Sequence, residues 1–138
     1  IAGELAAAAA APVVTTANAM MVALAQHGAR RISLLTPYAD DVNRRLKAFL
    51  ASGGIEVVHF HTFDAPDTAA LGRITEDQVE EAAWSLCQDD AEALFIACSQ
   101  LPTLHVVQRL AARWGRPVLS SIQVTAQQAL QAAAARTA

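Results

Sequence analysis

The 138 residues are 54% hydrophobic, 17% charged and 5% aromatic, with a formal net charge of −3. That balance excludes a disordered chain and fits one domain, which at this length buries roughly 68–70% of its unfolded surface without needing a disulfide or metal. The acidic balance speaks against non-specific nucleic-acid binding.

No run reaches the roughly 20 strongly apolar residues of a membrane span. Residues 1–14 are apolar, yet they carry Glu4 and no basic start, so a signal peptide is a poor reading. The chain begins with Ile rather than Met, on what looks like the end of a helix, and is read as a piece of something longer. The two cysteines, Cys87 and Cys98, are too few for a disulfide framework and fit no CxxC pattern. A reducing, cytoplasmic setting is the expectation.

In chain order, Ala17, Met20, Met21 and Leu24 follow helical spacing, with Thr15 or Thr16 as cap and Gly28 as stop. Ile32–Thr36 is a nearly continuous apolar run and predicts a strand buried on both faces. Val42, Leu46, Phe49 and Leu50 predict a second helix, capped by Asp40 and stopped at Gly53. Ile55–Phe60 is the second strand. Thr75–Gln78 reads as a capping box opening a helix with Val79, Ala82, Ala83 and Leu86 inward. Ala93–Ala97 is the third strand. Leu104, Val107, Ala111 and Trp114 mark a helix that stops at Gly115. Pro117–Ser120 is the fourth strand, and the tail from Gln123 is helical.

The order is therefore one helix, then strand–helix four times. This alternation implies an α/β fold: a flavodoxin-like four-stranded parallel sheet of order 2-1-3-4 with helices on both faces. Ligands on such sheets bind beyond the carboxyl ends of the strands. The informative loops are then Thr36–Asp41, His61–Thr75, Cys98–Thr103 and Ser120–Gln123.

In the first loop, Tyr38 presents a phenol that either donates to a substrate carboxylate or packs its ring on the loop. Asp40 and Asp41 read as helix-start residues. In the third, Cys98 follows a buried strand and precedes a helix, whose dipole would stabilise a thiolate. The amides of Ser99 and Gln100 would face the same space and could hold a carboxylate or enolate oxygen. Such a group suits proton transfer beside a carboxylate, or addition to an activated double bond. The bland alternative is a small buried cysteine ending a strand. Cys87, beside Trp84 and Leu86, reads as structural.

The fourth loop offers the hydroxyls of Ser120 and Ser121, or simply a helix cap. The second is long enough to cover a site. His59 and His61 lack a third ligand at metal spacing, so no metal site is expected; they read as strand-end histidines. His27 reads as serving a helix C-terminus, and His105, in the first turn of the helix after Cys98, as a surface residue, with an assisting role as the alternative. No dinucleotide, P-loop or nucleophile-elbow motif occurs, and no cofactor is expected.

Three segments together resemble the Asp/Glu racemase superfamily, in its maleate cis–trans isomerase and arylmalonate decarboxylase branch. Thr15-Thr16 before a helix is followed by Arg30–Asn43, which contains Thr36-Pro37-Tyr38-Ala39-Asp40-Asp41-Val42-Asn43. Ala93–Ser99 and Gly115–Ser121 are similar to the second cysteine motif and the next strand. The resemblance runs from about Pro12 to Ser121. It implies one lobe of a two-lobed fold with the active site between lobes: residues 12–138 as second lobe, and residues 1–11 as the remnant last helix of a missing first lobe.

It implies that Cys98 is catalytic, that Tyr38 binds a substrate carboxylate, and that Ser99 contributes an amide. Thr68 and Leu71 would line the pocket, with Thr36 and Gln100 completing the substrate-binding set. Two positions depart from the pattern. Asp67-Thr68 stands where maleate isomerases tend to carry Asp-Asn, and Ser121-Ile122-Gln123 where Ser-Asn-Gln is common.

The function implied is a cofactor-independent isomerase, racemase or decarboxylase acting at the α-carbon or double bond of a small (di)carboxylic acid. The expected partners are that carboxylate and the first lobe, with homo-oligomerisation open and neither nucleic acid nor membrane. The alternative is a non-catalytic flavodoxin-like ligand-binding or regulatory module.

Overall fold

The computed structural model describes residues 2–9 and 12–135. Its elements in chain order are α1 (Ala2–Ala9), α2 (Thr16–Gln26), β1 (Arg31–Thr36), α3 (Asp40–Ser52), β2 (Glu56–Thr62), α4 (Thr68–Leu71), α5 (Glu76–Ser85), β3 (Ala93–Ile96), α6 (Leu104–Trp114), β4 (Val118–Ser120) and α7 (Ser121–Ala134). The sheet order is β2-β1-β3-β4, and every pair is parallel, as the sequence predicts.

Alternation along the strands sorts side chains to two faces. Ile32, Leu34, Ala93, Phe95, Ala97 and Leu119 face a core closed by Met20 and Leu24 of α2, Leu50 of α3 and Val124 of α7. Leu35, Leu94, Ile96 and Val118 face a second core closed by Val79 and Ala83 of α5 and Val106, Val107 and Leu110 of α6. Helices therefore cover both faces. The apolar strand runs are explained by this double burial.

The helix ends follow local chemistry. Thr15 accepts from the Asn18 amide at 3.2 Å and caps α2. Thr75 and Gln78 form the predicted capping box of α5. Gly115, at φ +73°, ends α6 in the left-handed region, where a Cβ would be strained. His27 is the C-cap of α2, as expected.

Four expectations are corrected. First, β2 is not buried on both faces: it lies at the sheet edge and is mostly half-exposed, because it has a strand neighbour on one side only. Second, the N-cap of α3 is Ala39, not Asp40, and no side chain caps it. Asp40 is the first helical residue and pairs with Arg44 at 3.3 Å on the surface. The inward stripe shifts accordingly: Asn43 and Leu50 are buried, while Val42 and Phe49 are exposed. Third, Leu104 points outward, 75% exposed, because it is the first residue of α6; Val106, Val107 and Leu110 carry the packing. Fourth, there is no loop after β4. Ser120 ends the strand and Ser121 begins α7, two residues before the predicted start.

Among the described residues, no helix is long and apolar enough to cross a membrane.

Phe95 is the largest fully buried side chain, at the centre of β3. Phe95→Ala is expected to cost roughly 3–5 kcal/mol, by lost transfer energy plus the cavity left behind. Urea denaturation with an unchanged m-value checks this.

Candidate active site

The candidate residues gather at the carboxyl edge of β1 and β3. Thr36 ends β1, and its hydroxyl donates to Asn43 Oδ1 at 2.6 Å. Asn43 Nδ2 in turn donates to the Tyr38 carbonyl at 2.6 Å, and the Thr62 hydroxyl donates to the same carbonyl at 2.7 Å. The Tyr38 amide donates back to Thr36 Oγ1 at 3.4 Å. Two strand ends and one helix thus fix the backbone of Tyr38. Thr36, predicted to bind substrate, is completely buried beneath this loop and uses its hydroxyl inside the protein.

Tyr38 is half-buried and packs against both cores. The second of these cores also contains the Cys98 side chain. Burial foremost, then negative charge on Cys98, push the Tyr38 phenol up to about 12. At neutral pH the ring therefore carries a proton it can donate.

Cys98 follows β3 and is buried. Its backbone lies at φ +90°, in the region that disfavours any residue with a Cβ. Its amide donates to Ser121 Oγ at 3.1 Å. The expected proximity to the start of α6 is not found. That helix begins at Leu104, after a turn at Ser99-Gln100, so Cys98 is outside its first turn, where the dipole acts. Ser99 and Gln100 are exposed in that turn, and neither amide donates to another described residue.

Leu71, at the end of α4, packs against the same core as Cys98, Tyr38 and Phe63. Thr68 opens α4 and is exposed. The structure thus brings Tyr38, Cys98 and Leu71 to one core, with the Ser99-Gln100 turn next to Cys98. It sets Thr36 below that group and leaves Thr68 on the surface.

The other candidates separate from this group. His59 Nε2 lies 2.6 Å from Asp90 Oδ1, and His61 meets the Phe63 ring edge-on at 5.7 Å. Cys87 sits on the second core, with its Sγ 3.5 Å from the Ala83 carbonyl oxygen, and burial pushes its thiol up to about 11. Among the described residues, no group of three or more His, Cys, Asp or Glu side chains could hold a metal ion.

Sequence reasoning missed Asn43 and Thr62 as anchors of Tyr38. Asn43 carried one signal: an amide at the buried edge of an amphipathic helix needs polar partners. Cys98's backbone conformation carried none.

A parallel sheet covered on both faces, with a thiol and a phenol meeting at its carboxyl edge, defines an α/β lobe that carries polar chemistry at the expected end. The chain belongs to the arylmalonate decarboxylase family, whose sequence profile matches residues 1–137. Maleate isomerase from Alcaligenes faecalis is 30% identical over 121 residues, which cover 87% of this chain and 48% of that protein. A crystal structure of arylmalonate decarboxylase superposes with a TM-score of 0.87 at 27% identity, covering 96% of this chain and 59% of the other. A mutant of Nocardia farcinica maleate cis–trans isomerase, solved with a covalently bound succinylcysteine intermediate, superposes with a TM-score of 0.80 at 29% identity over 85% of this chain and 48% of the other. The chain spans about half the length of the curated relatives it matches.

Tyr38 is the sole tyrosine, so phenolate absorbance near 295 nm reports on it alone. With the phenol at about 12, roughly a tenth of it is ionised at pH 11. Cys98→Ala is expected to raise that fraction, because the phenol loses that neighbouring charge. The folded phenol holds its proton more tightly than the unfolded one, whose ordinary value is 10.0. Its contribution to stability is therefore whole below pH 10 and is lost as pH rises toward 12. A wild-type midpoint near 10 in folded protein contradicts this.

Proposed function

We propose that this chain is one lobe of a cofactor-independent isomerase, racemase or decarboxylase acting on a small (di)carboxylic acid. The observation that carries the reading is the meeting of Tyr38 and Cys98 in one core at the carboxyl edge of the sheet, each two residues past the end of its strand. In this reading, the Cys98 thiol gives or takes the proton at the α-carbon, or acts as partner thiol at a double bond. The substrate carboxylate accepts from the Tyr38 phenol and from the amides of Ser99 and Gln100. As negative charge spreads onto the carboxylate, these uncharged donors stabilise it. Leu71 supplies an apolar wall.

A second lobe supplies the rest of the pocket, and residues 1–11 belong to that lobe. Residues 1, 10 and 11 lie outside the described residues; α1 occupies the rest. Two features support a covering element. The chain spans about half the length of its relatives. A cavity of about 300 Å³ between α6 and α7 is walled by the exposed Leu104, Ile122 and Leu130, and its lining includes Thr103 and Gln123, whose buried Oγ1 and Oε1 atoms lack a described partner. Unpaired buried polar atoms beside exposed apolar side chains fit a surface that another element completes.

In the complete polypeptide, assayed with maleate for conversion to fumarate and with phenylmalonate for release of CO₂, Cys98→Ala is expected to abolish turnover. Cys87→Ala is expected to retain most of it, since that thiol packs in the core. Tyr38→Phe is expected to lose roughly 10²–10³ in kcat, the cost of removing one preorganised donor. Full activity in Cys98→Ala removes the assignment.

A further inference from the structure

Cys98 and Asp64 are the described non-glycine residues with positive φ, at +90° and +46°. Aspartate tolerates such a backbone; cysteine has no side-chain reason to adopt it. Something outside the residue must therefore hold it there.

The sheet ladder does not. Its last bond at this strand is from the Ala97 amide to the Leu35 carbonyl, at 2.8 Å. One residue further on, the Cys98 amide is buried and has left the ladder. Its acceptor is Ser121 Oγ at 3.1 Å, from a side chain that is itself 4% exposed. A buried amide without this acceptor would be unsatisfied.

The Ser121 hydroxyl is not required by its own helix. The N-cap of α7 is Ser120, whose Oγ accepts from the Gln123 amide at 3.5 Å. Thr125 Oγ1 donates to the Ser121 carbonyl at 2.7 Å and leaves the hydroxyl alone. The one described hydrogen bond that uses the Ser121 hydroxyl is the one to Cys98.

We infer that Ser121 is a positioning residue for Cys98: by accepting its amide hydrogen, Ser121 holds the cysteine backbone in the left-handed region and so keeps its side chain against Tyr38. The inference rests on the reading of Cys98 as the working thiol, but its primary test does not use turnover. Without the acceptor, the backbone relaxes toward an ordinary region and the side chain turns away from the phenol.

The test uses the isosteric pair Ser121→Thr and Ser121→Val in this chain, with Ser121→Ala as a third variant. Thr keeps the hydroxyl and Val replaces it with a methyl, so a difference between them isolates the hydrogen bond from shape. The readout is the phenolate fraction of the sole tyrosine at pH 11, with circular dichroism verifying the fold. Val and Ala are expected to raise that fraction at least twofold, and Thr to keep it near wild type. In a Cys98→Ala background, Ser121→Val is expected to have no further effect, because its action passes through Cys98.

An unchanged phenolate fraction in folded Ser121→Val overturns the inference, as does an equal rise in the Cys98→Ala background. Unfolding of Val and Ala while Thr folds, with Ser121→Val folded in the Cys98→Gly background, supports it, because glycine removes the strain that Ser121 offsets. If Cys98→Gly does not rescue folding, the hydroxyl acts elsewhere and the inference fails. In the complete polypeptide, Ser121→Val is expected to lower kcat more than it raises KM, with Ser121→Thr restoring it. Activity that survives loss of Cys98 would remove the functional reading while leaving the spectroscopic result standing.

Discussion

Strand β1 is bonded along both edges and packed on both faces, and the candidate site follows from that constraint. The β2 edge ladder runs to the end of the strand, where the Phe63 amide donates to the Thr36 carbonyl at 2.9 Å. On the other edge, the Ala97 amide donates to Leu35 at 2.8 Å. These bonds fix where the three strands stop. Parallel strands then send their next loops out on the same side. Tyr38, two residues past β1, and Cys98, two past β3, are brought together by this register rather than by any attraction between them. The pairing of Leu35 with Ile96 sets their relative height.

Within that frame, the polar residues divide the work. Thr36, Asn43 and Thr62 are anchors; their bonds converge on the backbone of Tyr38 and leave its ring free to face Cys98. Buried polar groups that are fully satisfied in this way specify one arrangement. The two cysteines illustrate the contrast. Cys87, on a core face beside a helix carbonyl, has its thiol held up by burial, against the opposing pull of the Arg113 charge. Cys98 meets a phenol at the opening of the sheet edge. Both are cysteines in apolar surroundings, and the difference lies in where the fold places them.

Much of this was legible because its signals are local. Doubly apolar runs marked β1 and β3, and caps at Thr15 and Thr75 marked helix starts. Once the strand–helix alternation was read, the carboxyl edge singled out Tyr38 and Cys98. The errors came where a decision depends on packing across the fold. The predicted α3 stripe is shifted because Asp40 has the chemistry of a cap, while the N-cap position falls on Ala39; Asn43 is buried and Val42 is exposed. Leu104 matches the helical period yet opens α6 with its side chain turned outward, while Val106 and Val107 of the same turn carry the packing. The edge position of β2 is a property of strand order, not of its composition. The conformation of Cys98 depends on a serine 23 positions away, which no local pattern encodes.

The donors at the sheet edge bear on why half a site would be insufficient. Tyr38 and the amides of Ser99 and Gln100 are uncharged, so each acts through a dipole rather than a net charge. A dipole directed at a developing anion is weak in water, where solvent screens the field and competes for the same oxygen. It strengthens several-fold where water is excluded and the effective dielectric falls. Ser99 and Gln100 are exposed in this lobe, and the lining of the cavity beside Tyr38 includes Val42 and Phe49 of α3, which are themselves exposed. The lobe therefore holds its donors in fixed positions without drying them. A covering lobe, as proposed, would add the low dielectric that makes fixed neutral donors effective, and the rigid anchoring of Tyr38 and Cys98 lets that gain be realised without further reorganisation.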